Sequence, residues 1–225
     1  ILDEARQAFE QGAFRYCMVF AGRRPSFKRI EHLAGLVRTI KARFPIQVCV
    51  SAGILDEPSA RVLKEAGLDR VNHNLNTSQR FYPRICSTHR YADRVRTLEV
   101  AQAAGLQICS GLIVGMGEGP EDIVEVAQTL RARKADSIPV NFFIPIEGVP
   151  LKSASPLTPE YCLRVLCLFR FLNPQGDIRV AAGREIHLRD LEVMALYPAN
   201  SLFLSGYLNA ERSEEHTSEL QSRQS

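Results

Sequence analysis

The sequence predicts an α/β fold, a (β/α)8 barrel of TIM type that lacks its first strand, and three features of the chain lead there. Segments with a helical apolar period alternate with short apolar runs seven times, always helix first. Gly12, Gly67 and Gly105 end EQG, EAG and AAG just before a strand, where a helix closes on a left-handed residue. Five strands share one short template, FRYC, IQVC, DRVN, LQIC and IPVN, ending on Cys17, Cys49, Asn72, Cys109 and Asn141. Side chains alternate along a strand, so the apolar first and third template residues share one face and the fourth joins the second on the other.

In chain order the elements are helix 2–11 and strand 14–20, helix 28–43 and strand 46–51, helix 57–66 and strand 69–75. Helix 91–104 and strand 106–114, helix 120–133 and strand 137–143, and helix 159–172 and strand 177–182 follow. A helix near 187–196 and strand 201–204 complete the series. An alternation that opens on a helix implies a strand before residue 1, and seven plus one makes the eight of the barrel. The rival, an open doubly wound sheet, would have strands apolar on both faces, whereas here one face repeatedly carries Arg, Gln, Cys and Asn. A polar inner face suits a lumen with a ligand in it.

With 225 residues, 45% of them hydrophobic, the chain can bury a full single core, assigned to 1–211. The segment 212–225, RSEEHTSELQSRQS, is polar and aperiodic; its opening resembles the translation of a sequencing adapter, so it is expected to be a non-native, disordered tail. The first residues, ILDEARQAFEQG, lack both an initiator Met and the layout of a secretion signal, so the start reads as a break in a longer protein. A net charge of +3, dispersed, argues for no nucleic-acid partner, and the absence of a long apolar run argues for no membrane span. Six cysteines at spacings of 32, 37, 23, 53 and 5 fit neither a disulfide scaffold nor a CxxC zinc site, and a reducing, cytoplasmic location is expected. Thiols and amides converging from neighbouring strands suit a metal cluster and a polar ligand better than a hydrophobic core.

NHNLNTS at 72–78, CSGLIVGMGE at 109–118, SIPVNFFIPIEGVPL at 137–151, RVAAGREIHLRDLE at 179–192 and ANSLFLSGYL at 199–208 follow one another in the chain. Together they resemble the successive motifs of the biotin synthase family of radical S-adenosylmethionine (SAM) enzymes, over roughly residues 1 to 211. The resemblance implies a barrel of the radical SAM kind holding a 4Fe-4S cluster, SAM, dethiobiotin and a 2Fe-2S cluster. It implies a sulfurtransferase of biotin biosynthesis: reductive cleavage of SAM yields a 5′-deoxyadenosyl radical, which abstracts hydrogen from dethiobiotin so that sulfur can be inserted. It further implies an electron donor such as flavodoxin or ferredoxin, and a homodimer.

By the same resemblance Cys17, Cys49 and Cys109 are the thiolate ligands of the 2Fe-2S cluster and Arg179 the fourth ligand. Clusters prefer thiolates and usually take four, so three cysteines leave one position to another group. Guanidinium is a poor ligand, and Arg179 rests on the resemblance alone. Gly111, Ile113 and Gly115, within the pattern G-x-I-x-G-x-x-E, are SAM candidates, as are Asn74 and Asn76 for its ribose. Asn72, Asn74 and Asn141 are dethiobiotin candidates, since a neutral amide both donates and accepts toward a ureido ring. The alternative for each Asn is satisfying backbone groups of the barrel.

His73, one residue out of phase with Asn72, is expected to face the helices; His32, His89 and His187 are expected at the surface or at caps. Cys86, in a connection, and Cys162 and Cys167, on a helix, are assigned no ligand role. Arg184 and Glu185 form either a pocket-shaping or a solvated ion pair. No CxxxCxxC, the family's 4Fe-4S motif, occurs among the six cysteines, so this chain alone is expected not to cleave SAM. Two other readings remain: another radical SAM barrel enzyme with a different substrate, and a non-catalytic barrel fragment.

Overall fold

The computed structural model describes residues 1–20, 22–145 and 157–203. The expected tail 212–225, the ends of the motifs at 146–151 and 204–208, and the end of the last predicted strand at 204 lie outside the described residues. Six of the predicted helices appear within a residue or two: α1 (Leu2–Glu10), α2 (Phe27–Arg43), α3 (Glu57–Glu65), α5 (Tyr91–Ala103), α6 (Pro120–Ala132) and α7 (Pro159–Leu172). Three of their starts carry a side-chain cap. Ser26 accepts from the Arg29 amide, Asp56 from Ser59 and Thr158 from Tyr161, with Pro58 and Pro159 in the first turn where no N–H is needed. Gly12, Gly67 and Gly105 all take positive φ at helix exits, as expected.

Two helical features differ from expectation. The FYPRIC connection contains a short helix, α4 (Tyr82–Ile85), and the helix near 187–196 is instead α8 (Arg184–Leu188) followed by a 3-10 helix over Arg189–Leu196. Arg189, at φ 50°, breaks the α-helical run between them.

All strands are parallel and form one sheet: β1 (Arg15–Val19), β2 (Gln47–Ser51), β3 (Arg70–Asn72), β4 (Gln107–Cys109), β5 (Leu112–Val114), β6 (Ser137–Phe142), β7 (Asp177–Val180) and β8 (Ser201–Leu202). Their order is β1-β2-β3-β4-β6-β7-β8, with β5 also on β6, and β1 and β8 are the edges among the described residues. This is the strand sequence of an α/β barrel, open between its first and last strands.

The single predicted strand 106–114 is split into β4 and β5 without any slip, because Cys109 pairs with Ser137 and Leu112 with Val140. Pro139, opposite the gap, has no N–H to give the ladder. Gly111 faces it so closely that an added Cβ would lie 1.8 Å from the Pro139 carbonyl oxygen. Neighbouring strands can approach there only around a glycine.

The outer strand residues Tyr16, Met18, Val48, Val50, Val71, Ile108, Ile138, Val140, Ile178 and Val180 join one hydrophobic core with Leu33, Val37, Leu63, Leu98, Leu130 and Phe169 of the helices. Cys17, Cys49 and Cys109 are fully buried yet lie outside that cluster. They occupy the inner face, together with Arg15, Arg70 and Arg179 of the same parity.

Candidate functional site

The register shows which inner residues share a level. Cys17 is the direct partner of Cys49, but Cys49 is opposite Arg70 rather than Asn72, while Asn72 is opposite Cys109 and Cys109 opposite Ser137. The template positions therefore do not form one ring: the sheet slides by two residues at β2–β3 and by four at β4–β6, leaving Asn141 level with Ile113. Such stagger is what tilts strands into a barrel. Because both slides are even, every template position still faces inward.

On the same inner face as the thiols lies a charged cluster. Arg15, Arg70 and Arg179 are at most 4% exposed, and along β1 to β4 the first two alternate with the amides of Gln47 and Gln107. Arg15 donates to Gln47 Oε1, and Arg70 donates from Nε and Nη2 to Gln107 Oε1, at 3.2 and 3.0 Å. Arg179 donates to Ser137 Oγ at 3.0 Å and to Asp177 Oδ2 at 3.3 Å, and its guanidinium stands 5.1 Å from the Phe203 ring centroid. Asp177 also accepts from Ser201 at 2.6 Å and faces Arg70 Nη1 at 3.8 Å. Burial alone would raise the Asp177 carboxyl, but Arg179, then Ser201, Arg70 and Arg15, hold it below its ordinary value. Burial, then the charge of Arg70, lowers Arg15, while the thiols of Cys49 and Cys109 pull the other way. Three guanidiniums against one carboxylate leave two positive charges beside the cysteines.

Above the thiols, at the C-terminal strand ends, a cleft of about 230 Å³ is lined by Phe20, Ser51, Gly53, Ile54, Asn72, His73, Asn74, Asn76, His89 and Arg94, among others. Its shape comes from a bulge. Between the pairs Asn72–Cys109 and Asn76–Leu112 one segment has three intervening residues and the other two, so the NHNLN stretch bows out of the ladder. Asn76 sits at φ 68°, a conformation Asn tolerates better than most residues. Its amide donates to Gly111 O at 3.0 Å and its carbonyl accepts from Ile113 N at 2.8 Å.

The bulge breaks strand alternation, so His73 does not simply face the helices as expected: it lines the cleft beside Asn72 and Asn74. It is 6% exposed, its Nε2 has no hydrogen-bond partner among the described residues, and burial, aided by Arg94 and His89, lowers its pKa to about 3. His89, expected at the surface or at a cap, also lines the cleft, bonded to the Tyr82 hydroxyl at 2.9 Å. Arg94, which sequence reasoning missed, donates to that same hydroxyl and to the Asn74 carbonyl at 2.6 Å. Its only sequence signal was a polar residue on a helix following a cleft-forming motif. Cys86 Sγ lies 3.4 Å from His89 Nδ1; burial pushes this thiol up, but hydrogen bonds from Thr88 and the His89 backbone bring it down to about 7.

The remaining candidates divide. Asn74 Oδ1 accepts from Gly111 N at 3.0 Å while the residue lines the cleft. Asn141 is used by the barrel itself, donating to Leu112 O at 3.0 Å and accepting from Ala182 N at 3.3 Å. Gly115, at φ 103°, donates to Glu118 Oε1 at 2.6 Å, and Met116 donates to Oε2 at 2.8 Å, so the terminal Glu of the G-x-I-x-G-x-x-E pattern clamps its own turn. Ile113, partly exposed, is the middle residue of β5. Arg184 pairs with Glu185 at 2.8 Å and Glu192 at 2.9 Å, tying α8 to the 3-10 helix that follows. Cys162 is fully buried in the core, as expected, and burial raises its thiol to about 12. Among the described residues no group of three or more His, Cys, Asp or Glu side chains is arranged to hold a metal ion, and no helix is long and apolar enough to cross a membrane.

Residues 1–130 match the model of the radical SAM superfamily, and residues 139–221 that of the biotin and thiamin synthesis associated domain. The chain is 60% identical over 209 residues to a biotin synthase of Magnetococcus marinus, covering 93% of this chain and 65% of that protein. It is 55% identical over 208 residues to a biotin synthase of Acaryochloris marina, covering 92% of this chain and 60% of that protein. The chain thus spans less than two thirds of the length of these relatives. Among solved structures, methylornithine synthase (PylB) superposes with a TM-score of 0.80 at 17% identity, over 95% of this chain and 63% of that one. The FeFe-hydrogenase maturase HydG of Carboxydothermus hydrogenoformans superposes with a TM-score of 0.69 at 20% identity, over 85% and 47%. Both likenesses concern the fold.

Proposed function

The chain belongs to the radical SAM superfamily, and from that premise we propose that it is the barrel portion of a biotin synthase, converting dethiobiotin to biotin by radical sulfur insertion. The observation that carries the reading is the arrangement inside the barrel: three buried inner-face thiols, three buried guanidiniums on the same face and an amide-lined cleft at the C-terminal strand ends.

The donor set suits a 2Fe-2S cluster. Two ferric ions and two sulfides carry +2, so three thiolates bring the assembly to −1; with Arg179 neutral as a ligand, Arg15 and Arg70 against Asp177 leave one positive charge, which balances it. In this reading Cys17, Cys49 and Cys109 would hold the cluster, with Arg179, once deprotonated, as the fourth ligand. The bound cluster supplies the sulfur, and SAM, reduced through a 4Fe-4S cluster, supplies the radical. The chain's own residues bind and orient. Asn72 and Asn74 offer donors and acceptors to the ureido ring; Asn141, anchored to Leu112 and Ala182, positions that wall and reaches the ring through its second lone pair. Asn76, in the cleft lining, bonds the SAM ribose and Ile113 offers an apolar face to the adenine, whereas the space that a side chain at Gly111 or Gly115 would fill is already taken by Pro139 and Leu157. His73, neutral when buried, adds no charge beside a radical. Electrons come from a flavodoxin or ferredoxin, the functional unit is a homodimer, and the setting is the cytoplasm.

Anaerobic reconstitution with iron and sulfide tests this. The chain is expected to take up about two irons and to develop a 2Fe-2S absorption spectrum, with each of Cys17→Ala, Cys49→Ala and Cys109→Ala abolishing it and Cys162→Ala leaving it intact. Iron uptake indifferent to the three inner cysteines would sink the reading. Because no CxxxCxxC is present, a second cluster, or 5′-deoxyadenosine formed by this chain alone, would equally count against it.

A further inference from the structure

One corner of the charged cluster is left over. Arg70 is held flat by Gln107, whose Oε1 takes both Nε and Nη2, and this leaves Nη1 pointing elsewhere. That nitrogen is buried and has no hydrogen-bond partner among the described residues; the carboxylate of Asp177 stands 3.8 Å away, outside bonding distance. A buried guanidinium N–H without an acceptor is costly, so the position is built for one that arrives later. The register says where it would come from: Arg70 is level with Cys49, and Asn72, two residues on along the same face, is level with Cys109. Arg70 therefore sits at the level of one candidate ligand and one step beneath another.

We propose that Arg70 is a positioning residue for the anionic iron-sulfur group, donating from Nη1 to one of its sulfurs and holding it against the thiols. The inference rests on the function proposed above. It assigns to Arg70 a role distinct from that of Arg179: Arg179 completes the ligand set, whereas Arg70 bonds sulfur and leaves iron alone. A donor to sulfur stabilises the more negative, reduced state, so it raises the midpoint potential and slows cluster loss.

The test compares wild type with Arg70→Met, which keeps the stem and removes the donor, and with Arg70→Lys, which keeps the charge. After anaerobic reconstitution, Arg70→Met is expected to lose its cluster to a chelator about tenfold faster and to show a more negative midpoint potential, with Arg70→Lys restoring much of both. A lower melting temperature with unchanged potential and unchanged chelator kinetics in Arg70→Met would mean a merely structural role and overturn the proposal. If wild type takes up no cluster, the function proposed above fails, and the inference is read on the cluster-free chain. There the labelling rate of Cys49 by anionic iodoacetate relative to neutral iodoacetamide reports the local field. A ratio that drops in Arg70→Met supports the cationic corner, and one that does not drop overturns it.

Discussion

Adjacent residues of the same strands live in opposite environments. Ile108 packs wholly into apolar side chains of the outer layer, whereas its neighbours Gln107 and Cys109 face a lumen of guanidiniums, amides and thiols. The outer face is interchangeable from strand to strand, because Val, Ile and Met all satisfy it, and it supplies the burial that holds the sheet to its helices. The inner face is not interchangeable. Each of its arginines depends on a particular acceptor, Gln47, Gln107 or Asp177, and a buried ion pair such as Arg179–Asp177 adds little net stability even though losing one partner is costly. Stability thus resides outside the strands and chemistry inside them.

Three changes test that division. Ile108→Ala is expected to cost about 3 kcal/mol in urea unfolding at neutral pH, the loss of a fully buried branched side chain; a much smaller cost would show that the outer layer is less important than proposed. Asp177→Asn removes the anion facing Arg179 and Arg70 and is expected to cost about 2 kcal/mol, less than a fully buried pair because Asp177 keeps a quarter of its side-chain surface exposed. Since the folded carboxyl lies below its unfolded value, this contribution is present above about pH 4 and fades as pH falls through the folded value. The variant should therefore lose less stability than wild type on acidification. His73→Gln should have the smallest effect. His73 stays neutral in the fold down to about pH 3, while the unfolded chain takes up the proton near 6.5, so its contribution is full above 6.5 and falls as pH drops toward 3. Between pH 7.5 and 5.5 wild type is expected to lose about 1.4 kcal/mol more than His73→Gln; equal losses would place the imidazole in water.

The alternation of helix and strand was legible because each of those elements carries its own period and several helices end on a glycine, as α3 does at Gly67. The inward facing of Cys17, Cys49 and Cys109 was legible for the same local reason. Their levels were not: the slides at β2–β3 and β4–β6 belong to the closure of the whole sheet, and no five-residue template records them. The break at Gly111 was hidden because its cause, Pro139, lies on another strand, although both residues are plain in the sequence. His73 and His89 were misplaced because a one-residue bulge and a four-residue helix carry too few residues for a period to show. The internal use of Asn141 by Leu112 and Ala182 was named as an alternative, and a single sequence offers nothing to decide it.

At Gly111 a lone hydrogen acts as the spacer between two strands, since a methyl group there would overlap the facing carbonyl outright. The position is therefore a gauge. Any related chain bearing a larger residue at this point must hold those strands farther apart, and the mouth above them would be re-cut accordingly, so one letter of a new sequence reports whether the same aperture has been kept.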